Sequence, residues 1–178
     1  VILFKKINNI QGWESIAQFI RGELEKNYSD IYYRRTNLSF NKLPIQLYIP
    51  LQKMIDSLFI SYNLHLSMAA VYVTYTDSQG ALHSDNAPTE YRINIPILNC
   101  EGSSTDYYHV AEFEYYTNSK YKIKIPKSES NIVLLDSFTL DGPTIVSVNN
   151  FHRVRVTDKV PRISLTLDFK EDLSFLLQ

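Results

Sequence analysis

The sequence predicts a mainly β protein of the jelly-roll kind, with supporting α-helices at its N-terminal end. Three observations lead there. From about residue 67 the apolar residues recur with a period of two, in eight short runs separated by turn residues. No pattern of helical length falls between those runs, which argues against parallel β-α-β winding and favours a sandwich or barrel. Thirteen Tyr and nine Phe against five Gly supply the large flat side chains that strands bury well. A length of 178 residues suits one domain, 1–178, with 1–66 as a helical support region and 67–170 as the β core.

The elements follow in order. In "NNIQGWESIAQFIRGELEKN", Trp13, Ile16, Ala17, Ile20 and Leu24 fall on one helical face, which predicts a helix over 10–26 capped by Asn8 or Asn9. In "PLQKMIDSLFISYN", Leu51, Met54, Ile55, Leu58 and Tyr62 form a second stripe, with Pro50 tolerated in the first turn of a helix over 50–62. Both stripes are expected to pack against a sheet. Strands are expected at 68–76, 91–98, 107–116, 121–125, 131–136, 143–148, 151–156 and 162–169. Turn residues separate them at Asp77–Gly80, Glu101–Ser104, Thr117–Ser119 and Asp141–Pro143.

Composition narrows the function. A net charge of −1 without charge blocks gives no support for nucleic acid or an anionic membrane as partner. No apolar run reaches the roughly 18 residues of a membrane span. The single Cys100 excludes an internal disulfide framework and fits a reducing, cytoplasmic compartment.

The chemistry-bearing residues lie in three places. His83 and Asp85, two apart in extended chain, point to one side and suit a divalent metal of intermediate softness. Such a pair also arises by chance. In "FHRVRV", His152 shares a face with Val154 and Val156, as a ligand or as an ordinary core histidine would. Two histidines and one carboxylate on one side of an ion make the facial triad of non-haem Fe(II) oxygenases, with the opposite positions open. In "PRISLTLDF", Arg162, Ser164, Thr166 and Asp168 alternate with four apolar residues. If that polar face lines a cavity, a guanidinium beside a hydroxyl holds a carboxylate; otherwise it is an outer face with a surface arginine.

His-x-Asp, a distant His, then Arg ten residues on in an Arg-x-Ser arrangement resembles the Fe(II)/2-oxoglutarate-dependent oxygenase superfamily. The resemblance covers about residues 68–169, with features of the aspartyl/asparaginyl or prolyl hydroxylase-like branch. It implies a double-stranded β-helix, with His83, Asp85 and His152 as iron ligands and Arg162, helped by Ser164, on the distal carboxylate of 2-oxoglutarate. It further implies cosubstrate contacts from Tyr75, in the lead-in "YTDSQGALHSD", and from Arg92, nine residues after His83. A stretch similar to "DSF…H" carries a longer insertion here, between Phe138 and His152. The implied activity consumes O2 and 2-oxoglutarate and oxidises a C–H bond of a small molecule or peptide side chain. A metal-binding jelly-roll or cupin-like module without turnover, and a structural or carbohydrate-binding sandwich, are the competing readings. His65, His109 and Cys100 have no partner pattern and are expected to be structural.

Overall fold

The computed structural model describes residues 1–8, 10–27, 38–40, 45–75, 81–117, 122–157 and 160–178. Eleven strands and two α-helices run through them in the order β1 (Phe4–Lys6), α1 (Trp13–Asn27), β2 (Leu38–Phe40), α2 (Ile45–Leu58), β3 (Leu66–Thr74), β4 (Tyr91–Leu98), β5 (Ser103–Val110), β6 (Phe113–Thr117), β7 (Lys122–Pro126), β8 (Ile132–Phe138), β9 (Thr144–Ser147), β10 (Phe151–Val156) and β11 (Arg162–Phe169). A 3-10 turn at Ser174–Leu177 ends the chain. No helix among the described residues is long and apolar enough to cross a membrane.

All strand pairs are antiparallel. One sheet of six strands has the order β1-β9-β4-β11-β3-β2. The second layer contains the sheet β10-β5-β8 and the hairpin β6-β7. The segment at His83–Ser84 joins these two pieces, because His83 bridges to His152 on β10 and Ser84 bridges to Lys124 on β7.

β11 sits centrally, between β3 and β4, and all eight of its residues are buried. Its two faces differ as the sequence alternation requires. Ile163, Leu165, Leu167 and Phe169 join Ile16, Ile20, Leu51 and Ile55 in one apolar cluster that fastens both helices to the six-stranded sheet. Each such side chain fully removed from water contributes roughly 1.5–3 kcal/mol. The opposite face carries Arg162, Ser164, Thr166 and Asp168 toward the second layer, and it builds the site.

Several expected boundaries move. α1 starts at Trp13, after Gly12 in the left-handed region (φ 86°), so Asn8 lies too far back to cap it; Asn9 is outside the described residues. Ile16 is fully buried, whereas Trp13 is only partly covered. α2 begins at Ile45, which puts Pro50 inside the helix instead of in its first turn. Pro50 has no N–H for the carbonyl four residues back, and that residue, Gln46, is exposed. Tyr62 falls beyond the helix and is half-exposed, while Phe59 is buried. The strand expected at 107–116 is two strands, β5 and β6, broken at Ala111–Glu112. β1 and β2 add a short strand at each edge of the six-stranded sheet, within the third read as helical. The turn expected at 77–80 lies outside the described residues.

Candidate functional site

The cluster begins with backbone pairing. His83 and His152 exchange both main-chain hydrogen bonds, N to O at 3.1 and 2.8 Å. That register sets their rings side by side, centroids 4.7 Å apart. Asp85 follows on the same side of the chain, and its N–H donates to the Val148 carbonyl at 2.8 Å. Asn86 then turns the chain away with φ 51°, a left-handed conformation that Asn tolerates. One ligand atom from each of His83, Asp85 and His152 lies within 4.8 Å of the others. The expected trio is therefore brought together.

Both imidazoles are oriented from behind. His83 Nδ1 lies 2.7 Å from the Ala81 carbonyl and His152 Nδ1 lies 2.8 Å from the Asn150 carbonyl. A carbonyl only accepts, so each Nδ1 carries the proton and each Nε2 is the nitrogen left for the cluster. Burial, with the charge of His83 beside it, pushes His152 down to about 4, so its ring is neutral at pH 7. Burial works against a charge on His83 too. There the hydrogen bond and charge of Asp85 prevail and raise it, with Nε2 standing 3.0 Å from Asp85 Oδ1. Burial likewise pushes the Asp85 carboxyl up, but the His83 bond and the charges of His152, Arg92 and His83 hold it well below the usual carboxylate range. A metal and a proton compete for the same lone pair in such a site.

The cluster opens into a cavity of about 300 Å³ between the two layers. Arg162, Ser164 and Thr166 on β11 line it from one side, and Thr105, Tyr107 and His152 from the other. Chain folding here differs from a hairpin. β10 and β11 lie in different sheets, so Arg162 meets the ligands from the opposite wall and not from an adjacent strand. Its side chain is nearly sealed, at 3% exposure. Among the described residues no acidic side chain pairs with it. Nη2 lies 3.5 Å from Thr105 Oγ1, and the buried Nε has no hydrogen-bond partner. Burial lowers the Arg162 pKa, with Cys100 as its nearest compensating group. Cys100, which has no basic neighbour in sequence, thus gains one in space. Burial still raises its thiol, and its Sγ rests 3.2 Å from the Ile163 carbonyl.

Of the two further expected cosubstrate residues, Arg92 lines the cavity and Tyr75 does not. Tyr75 is buried in the apolar cluster with Val71 and Val73, on the helix-facing side of β3. The tyrosine of that strand lining the cavity is Tyr72, whose odd spacing from Tyr75 puts it on the other face. Arg92 does line the cavity, but its guanidinium is engaged: Nη1 lies 2.5 Å from Asp85 Oδ2 and Nε 3.5 Å from Asp168 Oδ2. Asn94 shares its face and accepts from Thr166 Oγ1 at 2.8 Å. Tyr107 is a residue the sequence reading passed over, and Asp168, read only as part of the polar face of its strand, is the ion-pair partner of Arg92. Tyr107 donates to the Ser147 carbonyl at 3.0 Å and packs its ring 5.9 Å from that of His152. His65 pairs with Glu171, and His109 is exposed on β5; neither joins the cluster.

No family model and no curated protein matches the sequence. Solved structures match the fold. HygX from Streptomyces hygroscopicus is 13% identical over 93% of this chain and 81% of its own, with a TM-score of 0.54; the same protein has been solved with nickel and 2-oxoglutarate bound. The epimerase SnoN, in complex with Fe3+, alpha-ketoglutarate and nogalamycin RO, is 10% identical over 97% of this chain and 84% of its own, TM-score 0.53. A prolyl hydroxylase from Trichoplax adhaerens, in complex with a hypoxia inducible factor peptide fragment, is 16% identical over 93% and 82%, TM-score 0.51. The chain has the double-stranded β-helix fold of these solved proteins.

Proposed function

We propose that the protein is an Fe(II)- and 2-oxoglutarate-dependent oxygenase, most simply a hydroxylase of a small molecule or peptide side chain. The observation that carries this reading is Arg162. A guanidinium buried without an acid, with an unpaired Nε, is costly unless an anionic ligand completes it. It faces the same cavity as two neutral-capable imidazole nitrogens and one carboxylate, a donor set suited to Fe(II) with open coordination positions. A metal module without turnover gives Arg162 no reason to face the cluster.

In this reading His83, Asp85 and His152 hold the metal. Arg162, with Ser164 beside it on β11, takes the distal carboxylate of 2-oxoglutarate by charge-assisted bonds. The bound metal supplies the activation of O2, so that 2-oxoglutarate, O2 and a substrate C–H yield succinate, CO2 and C–OH. The chain's own part is to orient and enclose. Ala81 and Asn150 fix the ring tautomers, Tyr107 backs His152, and the apolar walls at Val146, Val148 and Val154 limit water. Residues 1–178 would serve as one domain, with α1 and α2 supporting the sheet that bears Arg162. The solved relatives hold a peptide fragment in one case and nogalamycin RO in another, which supports both substrate sizes. A cytoplasmic setting rests on the lone buried thiol, Cys100.

The test is anaerobic titration of purified protein with Fe(II) and then 2-oxoglutarate, followed by absorption of the metal-to-ligand charge-transfer band, and then by O2. The expected result is one metal and one 2-oxoglutarate per chain, with succinate formed on adding O2. Metal binding without any 2-oxoglutarate binding would establish the non-catalytic module instead.

A further inference from the structure

The row Asp168–Arg92–Asp85 runs behind the candidate metal ligands. Arg92 comes from β4 and Asp168 from β11, neighbouring strands of the six-stranded sheet, while Asp85 belongs to the second layer. All three side chains are largely buried, at 12%, 12% and 20% exposure. Asp85 uses its oxygens separately: Oδ1 faces His83 Nε2 at 3.0 Å, and Oδ2 is held by Arg92 Nη1 at 2.5 Å. Asp168 lies behind Arg92 as an ion-pair partner, its Oδ2 3.5 Å from an Nε that has no hydrogen-bond partner, and is itself fixed by Thr89, whose Oγ1 donates to Oδ1 at 2.9 Å. The row therefore runs from Thr89 through two carboxylates and one guanidinium to the candidate metal ligands.

Charge explains why two acids flank one base. A lone Arg92 would neutralise Asp85 and oppose a divalent cation. Asp168 cancels Arg92, so the row keeps one net negative charge for the ion. The contrast with Arg162 assigns the labour. Among the described residues Arg162 has no acid beside it, whereas Arg92 lies between two, hydrogen-bonded to Asp85 through Nη1 and within ion-pair distance of Asp168. We propose that Arg92 is a positioning residue for the metal ligand Asp85. It ties down Oδ2 so that Asp85 offers a metal one oxygen only, and Asp168 keeps Arg92 in place and electrically balanced. This rests on the reading of His83, Asp85 and His152 as a metal site.

The experiment uses Co(II), which is stable in air and reports its coordination by visible absorption. Full-length wild type, Arg92→Gln, Arg92→Lys and Asp168→Asn are titrated with Co(II), then with 2-oxoglutarate. Changing a group that orients a ligand typically weakens metal affinity about 10–100-fold. Arg92→Gln should show that loss and an altered Co(II) spectrum, while the affinity of the Co(II)-loaded protein for 2-oxoglutarate changes less than about threefold. Arg92→Lys should recover part of the loss, since one ammonium cannot bridge both acids. Asp168→Asn should shift Co(II) affinity the same way, because Arg92 then loses the acid that keeps it in place against Asp85. It carries the test if Arg92→Gln fails to fold, as judged by thermal unfolding of the metal-free protein. Wild-type Co(II) binding in Arg92→Gln overturns the proposal, and a tenfold or greater loss of 2-oxoglutarate affinity with it returns Arg92 to the cosubstrate. A wild-type protein that binds no Co(II) removes the metal site itself, a result distinct from either.

Discussion

His83 and His152 form a cross-strand pair: each donates its N–H to the other's carbonyl, and their rings stand 4.7 Å apart across the pairing. Two candidate ligands far apart in sequence thus depend on one register. Three groups hold the proposed metal with little redundancy. Replacing any one of His83, Asp85 or His152 by Ala should lower metal content strongly, by at least the 10–100-fold seen for lesser changes around metals. Metal analysis after loading purified protein with Fe(II) under argon checks this, and a triple-Ala variant that still loads one metal per chain would sink it.

Arg162→Ala should weaken 2-oxoglutarate binding about tenfold or more while Fe(II) affinity stays close to wild type. A hydrogen bond to a charged group is worth roughly 1.5–3 kcal/mol, and each 1.4 kcal/mol is about tenfold in affinity. Arg162→Lys should restore only part, because the flat fork is lost. Charge-transfer titration of the anaerobic Fe(II) protein reads both constants. Equal 2-oxoglutarate affinities for wild type and Arg162→Ala would remove the cosubstrate assignment.

The helices should matter for stability and not for ligands. Ile16 and Ile55 are fully buried in the cluster that includes Leu165 and Leu167 of β11. Ile16→Ala and Ile55→Ala should each cost about 2–5 kcal/mol. Urea unfolding of the metal-free protein measures this, and the folded variants should still bind metal with unchanged stoichiometry.

A pH-dependent element lies outside the site. Asp106 on β5 is fully buried and accepts from Ser137 Oγ at 2.6 Å, from Tyr108 Oη at 3.1 Å and from Arg155 Nη2. Burial pushes its carboxyl up, but the bonds from Ser137, Ser104 and Arg155 outweigh that and hold it below the usual range. A group depressed in the folded state stabilises fully above its unfolded pKa, about 3.9. That contribution is lost as pH falls through the folded value. Asp106→Asn should therefore destabilise by about 1.5–3 kcal/mol at pH 7, with the gap to wild type closing below about pH 4. Denaturant midpoints at pH 7 and pH 3 test the difference, and an equal gap at both would contradict it.

How much of this was legible depends on periodicity. Strands β4, β10 and β11 alternate so strictly that their observed limits coincide with the expected ones. The parity of His83 with Asp85, and of Arg162 with Ser164, follows from the same rule. β1 and β2 escaped because three residues are too few to show a period, and they exist through edge pairing to β9 and β3. Parity was available for Tyr72 against Tyr75 as well, but which face met the helices was not. Whether β11 would lie beside β10 or across from it depends on the path between them, which no local pattern encodes. The pairing of Arg92 with Asp168 needs the register of β4 on β11, a tertiary fact.

The pairing of Ser84 with Lys124 has one more consequence. Each donates its N–H to the other's carbonyl, at 3.0 and 2.9 Å, so the segment bearing His83 and Asp85 is flanked by β10 on one side and by the β6-β7 hairpin on the other. The strand β6 is solvent-exposed along its whole length, and such elements open most readily. When the hairpin opens, the ligand segment loses its two backbone hydrogen bonds to Lys124 and keeps those to His152 and Val148. Occupying the site should then suppress that opening by mass action, and amide hydrogen exchange at Ser84 and Lys124 should slow on metal loading, although neither residue is a ligand. Local breathing of the hairpin becomes a gauge of occupancy that can be read without any turnover.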